Sequence, residues 1–262
     1  MEVVIVDGPE AAGSLVGGAI ADLVGRRPDA VLGLATGSSP LAVYRDLARR
    51  HAGGELSLAR TRAFLLDEYV GLPPHHPERY RAFIARELEQ HVDLAPTAVQ
   101  GPDVDVDGPA LLDACHAYEQ QIAAAGGIDV QLLGVGGDGH IGFNEPGSSL
   151  ASRTWLKTLT DGTRADNARF FATIDDVPRH VLTQGVGTIL EARHLVLLAF
   201  GSGKAEAVAR AVEGPVTATV PASALQLHAH ATVVVDGEAA AGLARAGYYR
   251  ETWAHKPDWQ GL

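Results

Sequence analysis

Residues 130–147 read VQLLGVGGDGHIGFNEPG, and the fold turns on how that stretch is divided. Its first part, Val130–Val135, is a continuous apolar run, as expected of a strand covered on both faces. The overlapping Gly134-Val135-Gly136-Gly137-Asp138-Gly139 matches G-x-G-x-x-G, and an acid, Asp161, lies roughly 20 residues on, as in a dinucleotide fingerprint. That fingerprint has to open an amphipathic helix. Here the chain continues His140-Ile141-Gly142-Phe143-Asn144-Glu145-Pro146-Gly147, and Pro146 with Gly147 leaves no room for three helical turns. The strand stands, and the nucleotide reading loses its support.

The same strand character recurs at Val3–Val6, Val31–Ala35, Ala63–Leu66, His194–Phe200 and Thr232–Val235. Between these runs lie segments with helical spacing: Leu41, Tyr44, Leu47 and Ala48; Tyr80, Phe83, Ile84 and Leu88; Ala207, Val208, Ala211 and Val212. Strand and helix in alternation imply parallel pairing through right-handed crossovers. The expected fold is α/β: a doubly wound, mostly parallel Rossmann-like sheet with helices on both faces, in a single domain over residues 1–262. Ala95–Gly108, rich in Pro, Asp and Gly, reads as a loop between two helices. Gly147–Asp176 is polar and weakly periodic; it reads either as disordered turns or as an insertion covering a site.

Composition bounds the partners. The chain has 262 residues and a net charge of −11, which argues against a general nucleic-acid or anionic-membrane binder. Its 46% hydrophobic residues supply a core, and no apolar run approaches the ~20 residues that span a bilayer. A lone cysteine, Cys115, excludes an internal disulfide and a cysteine-based zinc site. The start, MEVVIVDGPE, carries no basic stretch followed by an apolar one. The expectation is a soluble, cytoplasmic protein.

Ligands of doubly wound sheets bind beyond the carboxyl ends of the strands, so the loops there carry the weight. Thr36-Gly37-Ser38-Ser39-Pro40 offers three hydroxyls and a glycine, with Ser39 expected as N-cap and Pro40 as first helical residue. A helix start of this kind is an anion site or an ordinary capped turn. Gly201-Ser202-Gly203-Lys204 resembles half of a Walker A loop, but Leu198 stands where the first glycine belongs and Ala205 where Ser/Thr would hold magnesium. ATP is not expected; Lys204 fits a phosphate monoester, although a lone lysine of this kind is more often an ordinary solvated one. Asp138, His140 and Glu145 fall within eight residues, and two carboxylates can orient an imidazole and raise its pKa to make a proton shuttle. A metal would want a second set of ligands at matched spacing, and none is seen. Asp67, in Leu66-Asp67-Glu68-Tyr69-Val70-Gly71-Leu72-Pro73, stands at a strand end either as a base or as a turn cap.

Taken together, LGLATGSSP, LDEYVGLP, GVGGDGHIGFNEPGSSLASRT, GVGTI, FGSGKAEAVARAVEG and PASALQLH resemble, in order and spacing, the motifs of the glucosamine-6-phosphate deaminase (isomerase) family over nearly the whole chain. The resemblance implies conversion of glucosamine 6-phosphate and water to fructose 6-phosphate and ammonia, without metal, nucleotide or other cofactor. It implies Asp67 as the base taking the C2 proton. It implies that His140 assists ring opening, with Asp138 and Glu145 tuning it. It places the phosphate on Thr36, Gly37, Ser38 and Ser39, with Arg169 and Lys204 as cations, and a mobile lid at about 159–182. The family includes monomers and hexamers, which leaves a homo-oligomer open.

Three rival readings stand beside it. A 6-phosphogluconolactonase has the fold but less use for Asp67. A sugar-phosphate sensor would carry an N-terminal DNA-binding helix pair, where this chain has a strand from Val3; a nicotinamide oxidoreductase is weakened by Pro146. Activated hexameric relatives bind N-acetylglucosamine 6-phosphate through the segment after FNEP, which Ser148, Ser149, Lys157 and Thr158 fit. Trp155 stands where those relatives place an arginine, and an indole offers one N–H and no charge. Little response to that activator is expected.

Overall fold

The computed structural model describes residues 1–262, apart from the side chain of Asp258. In chain order its strands are β1 (Glu2–Val6), β2 (Val31–Leu34), β3 (Arg62–Leu65), β4 (Asp67–Tyr69), β5 (Val99–Gln100), β6 (Val130–Gly134), β7 (Trp155–Thr158), β8 (His180–Thr183), β9 (His194–Ala199) and β10 (Ala231–Asp236). The α-helices are α1 (Pro9–Arg26), α2 (Leu41–Ala52), α3 (Tyr80–Glu87), α4 (Ala110–Ala124), α5 (Asp161–Asn167), α6 (Val186–Leu190), α7 (Ala205–Val212) and α8 (Ala246–Ala254). Among the described residues no helix is long and apolar enough to cross a membrane.

Seven strands pair in parallel in the order β1-β10-β9-β6-β2-β3-β5. The apolar runs explain this: β2 and β9 are buried at every position, as strands covered on both faces must be. From β2 the chain winds outward to β3 and β5, then returns to β6 on the other side of β2 and winds to β9 and β10. Right-handed crossovers then place α1 and α2 on one face and α4, α6 and α7 on the other. The chain thus has the doubly wound α/β fold that the alternation of apolar runs and helical spacing implies.

Two segments differ from their sequence readings. Ala95–Gly108 contains the short edge strand β5, paired with β3 through Ala63↔Val99 and Phe64↔Gln100. Gly147–Asp176 is ordered rather than a run of disordered turns. It contributes β7 and α5, and β7 joins β4 and β8 in a separate antiparallel sheet, β4-β8-β7. Short strands paired so far along the chain leave little periodicity to read. Glu119 on α4 stitches this sheet to the body by accepting the Thr154 N–H at 2.8 Å and the Thr188 hydroxyl at 2.6 Å.

The amino edge of the main sheet is fastened by buried polar groups. Asp129 accepts the Val31 N–H at 2.8 Å and pairs with Arg27 at 2.6 Å and Arg193 at 3.0 Å, and its carbonyl accepts the His194 N–H. One residue therefore ties β2, β6 and β9 together. Beside it the His194 and His230 rings stack at 3.7 Å, His194 Nε2 shares a hydrogen bond with Thr232 Oγ1 at 2.9 Å, and Lys256 pairs with Glu2 at 2.5 Å.

Burial first, then the neighbouring His230, His228 and Lys256, push the His194 pKa down to about 3. The unfolded chain binds this proton near its ordinary value of about 6.5, so the site's contribution to stability is intact above that pH and is lost as pH falls from ~6.5 toward 3. Urea unfolding between pH 7 and pH 5 should therefore lose stability more steeply in the wild type than in His194→Gln, the difference approaching ~1.4 kcal/mol per pH unit. Parallel curves for the two proteins would show that this stacked pair is not the acid-sensitive element.

Candidate active site

In doubly wound sheets the ligand crevice opens where winding reverses, outside the carboxyl ends of the two strands involved. Here these are β2 and β6. The loop after β2 runs Ala35–Pro40, and the buried Tyr44 hydroxyl holds it by donating to the Ala35 carbonyl at 2.6 Å. Helix α2 begins at Leu41 with Pro40 as its N-cap and no side-chain cap, one residue later than Ser39 and Pro40 imply. Ser39 is therefore not spent on capping. Among the described residues, the hydroxyls of Thr36, Ser38 and Ser39 and the N–H groups of Gly37, Ser38 and Ser39 have no protein partner.

Across the crevice, the loop after β6 is a tight turn in which Gly136 N–H donates to His140 O and Gly139 N–H to Gly136 O, both at 3.0 Å. A Cβ on Gly136 would overlap the His140 ring, so the glycine is what lets the imidazole lie back over the turn. Asp138 Oδ1 accepts the His140 N–H at 3.1 Å and stands 2.7 Å from His140 Nδ1, an ion-pair contact rather than an aligned hydrogen bond. Contact with His140 outweighs partial burial and holds the Asp138 carboxyl down at about 2. Asp138 and His140 are brought together as their spacing implies.

Glu145 is not brought to His140. Its buried carboxylate turns to the start of α5, where it accepts hydrogen bonds from the hydroxyls of Thr160, at 2.9 Å, and Thr163, with Lys157 Nζ at 3.8 Å. The physical reason lies in donors that the eight-residue spacing cannot reveal: two threonine hydroxyls arriving from the next segment. Asn144, the residue before it, donates to the carbonyls of Ile141 at 3.0 Å and Gln184 at 2.8 Å, fixing the loop to the end of β8.

Asp67 and Glu68 are neighbours on β4 and so point to opposite faces. Glu68 is the cap: its carboxylate accepts the N–H groups of Tyr69, Tyr80 and Arg81 at 2.9, 3.0 and 2.9 Å, closing the first turn of α3. Asp67 is only 5% exposed, and among the described residues no protein group donates to its carboxylate. Burial first, and the Glu68 charge second, push its pKa well above the ordinary carboxylate range. Its strand partner Thr183 accepts the Phe143 N–H at 3.1 Å, which brings the Asp67 strand against the His140–Glu145 loop.

Lys204 follows β9, and Arg169 follows α5 in a short 3-10 turn, Ala168–Phe170. Among the described residues neither has a carboxylate within ion-pair distance. Burial, and then repulsion from Arg169, hold the Lys204 pKa below its ordinary value. The Arg169 guanidinium lies over the Phe170 ring at 4.7 Å, and two cations near enough to repel, without carboxylate partners, can accept an anion. The Gly136 contact with His140, the Thr160 and Thr163 partners of Glu145, and Asp236 behind Lys204 escape the sequence reading. Of these only Asp236 carried a signal, as an acid at the end of an apolar strand.

The chain is similar to known proteins over nearly its whole length. A family model described as glucosamine-6-phosphate isomerases/6-phosphogluconolactonase matches residues 9–234. Glucosamine-6-phosphate deaminases of Streptomyces avermitilis and Beutenbergia cavernae are 60% and 61% identical to this chain, each alignment covering 100% of both proteins. The solved structure of a monomeric glucosamine-6-phosphate deaminase superposes with a TM-score of 0.89 at 42% identity, covering 92% of this chain and 100% of that one. A 6-phosphogluconolactonase from Trypanosoma brucei, at 20% identity and a TM-score of 0.73 over 93% of this chain and 98% of its own, shares the fold. The chain belongs to the glucosamine-6-phosphate isomerase/6-phosphogluconolactonase family.

Proposed function

We infer that this protein is a glucosamine-6-phosphate deaminase, converting glucosamine 6-phosphate and water to fructose 6-phosphate and ammonia. The observation that carries the reading is Asp67: a buried carboxylate without a donor, beside a crevice that also holds the Asp138–His140 pair. A solvated or hydrogen-bonded carboxylate is too weak a base for a carbon acid, and desolvation makes it stronger. His140 moves a proton between the ring oxygen and O1 as the pyranose opens. Asp67 takes the C2 proton, giving an enolamine, and returns it to C1. The resulting imine at C2 adds water and releases ammonia, so atoms balance with no redox step.

The phosphate lies between the Thr36–Ser39 loop and the Lys204 and Arg169 cations, where free N–H groups and two positive charges match its nearly two negative charges. The lid expected at about 159–182 is confined to residues 159–179, because His180–Leu182 lie in β8, the central strand of the β4-β8-β7 sheet. Its α5 carries Arg164, which is buried and donates to the carbonyls of Val177 at 3.1 Å and Ile174 at 2.7 Å, so the segment moves as one piece. Water exclusion protects the enolamine from hydrolysis. A cytoplasmic reaction fits a phosphorylated sugar, which does not cross membranes freely.

Ammonia release from glucosamine 6-phosphate without added cofactor is the primary test. Asp67→Asn separates this reading from a structural one. Turnover should fall by at least ~10²-fold, the lower scale of general-base catalysis. Because the folded pKa is raised, the ionised carboxylate costs stability as pH rises from the unfolded value through the folded one, so the variant should melt higher than the wild type at neutral pH. A lower melting temperature with normal exchange of the C2 proton would refute the assignment.

A second prediction concerns N-acetylglucosamine 6-phosphate. The Trp155 indole N–H donates to Asn144 Oδ1 at 3.1 Å, and Lys157 lies over the Trp155 ring at 5.1 Å, turned toward Glu145. Both groups are engaged inside the molecule, and a missing charge-assisted contact is worth ~1.5–3 kcal/mol, the size of a typical coupling energy. Saturation curves with and without the N-acetylated sugar should superimpose; a sigmoidal curve made hyperbolic by sub-millimolar activator would contradict this.

A further inference from the structure

The turn that carries Lys204 is held from the neighbouring strand. β10 ends on Asp236, whose carboxylate accepts the Gly201 N–H through both oxygens, at 3.1 and 3.0 Å, and the Ala239 N–H at 2.8 Å. Glu238 Oε2 accepts the Ser202 N–H at 3.2 Å. Gly201 has φ +84, a left-handed conformation that Asp236 braces, and the Lys204 N–H closes the turn on Gly201 O at 3.1 Å.

This arrangement has two consequences. In a P-loop the N–H groups of such a turn cradle phosphate. Here the first two are occupied by carboxylates, so an anion at this wall meets the Lys204 ammonium instead of a backbone nest. The path of the Lys204 side chain then depends on where the turn is pinned, and Asp236 pins it. An asparagine there would present one acceptor and one donor to two N–H groups, turning the donor against the turn.

We propose that Asp236 is a positioning residue for the deaminase reaction, fixing the Gly201 turn so that Lys204 meets the substrate's phosphate. The proposal rests on the deaminase reading and on Lys204 as a phosphate contact. Asp236 touches no substrate, so its effect must pass through Lys204. That makes it separable from a merely structural role.

The experiment is a kinetic double-mutant cycle with Asp236→Asn, Lys204→Ala and the pair, reading KM and kcat for glucosamine 6-phosphate and competitive inhibition by inorganic phosphate. Asp236→Asn should raise KM and the phosphate inhibition constant about tenfold while kcat stays within about twofold, as expected when a charge-assisted contact is weakened rather than the chemistry. In the Lys204→Ala background the same substitution should change either constant less than about twofold. Asp236→Glu, which keeps the charge but displaces the turn by a methylene, should give the same pattern and serves where Asp236→Asn does not fold. Equal losses in both backgrounds overturn the positioning role while leaving the deaminase reading intact. An unchanged KM in Lys204→Ala overturns the proposal at its other end, and a wild type that releases no ammonia overturns both it and the deaminase reading.

Discussion

The reversal of winding between β2 and β6 is the constraint on which the rest depends. Two parallel strands paired through Leu32↔Val130 and Gly33↔Gln131 send their following segments in opposite directions across the sheet. Neither loop can cover the other's strand end, so a crevice is left between them. Its walls are the Thr36–Ser39 loop and the Gly136–His140 turn. The antiparallel sheet β4-β8-β7 then brings Asp67 alongside, because β4 leaves the main sheet immediately after β3 ends. The opposite edge is where polar groups are spent on stability, with Asp129 joining three strands and the stacked histidines closing the start of β9. Chemistry and fastening occupy opposite ends of the same strands.

Five carboxylates illustrate how environment assigns tasks to one functional group. Glu68 is equally buried beside Asp67 but satisfied by three N–H groups, and it closes a helix. Asp67 has no donor and is left basic. Asp138 is partly exposed and held ionised by His140; Asp236 is saturated by backbone donors and pins a turn. Glu145 fastens hydroxyls. A carboxylate buried with no protein donor among the described residues carries a cost that the surrounding structure must outweigh, and strongly perturbed groups of this kind cluster at functional sites.

Six of the seven strands of the main sheet are legible because they leave unbroken apolar runs, and each is present within a residue or two of its expected bounds; the seventh, the two-residue edge strand β5, is too short to leave a pattern. The second sheet was not legible. β4 has three residues, two of them charged, and its partner β8 lies more than a hundred residues away. The Asp138–His140 contact could be read because it is local, two residues apart. The direction of Glu145 could not, since it is set by Thr160 and Thr163 across a loop. Ser39 was misread as a cap because Pro40 occupies that position in helical backbone. Resemblance to a family supplies the roles; spacing alone favours the ordinary readings of Asp67 as a turn cap and Lys204 as a solvated lysine.

The position of Glu145 has a mechanical consequence. Arg169 stands just past α5, and the first turn of α5 is held by Glu145 through the Thr160 and Thr163 hydroxyls. Glu145 belongs to the loop that begins with Asp138 and His140. Arg169 and the His140 imidazole are therefore carried on segments joined through Glu145, from the end of β6 into α5. Arg164 stiffens its far end by binding the Ile174 and Val177 carbonyls. The Thr160 and Thr163 hydroxyls thereby tie the start of α5 to the loop of Asp138 and His140.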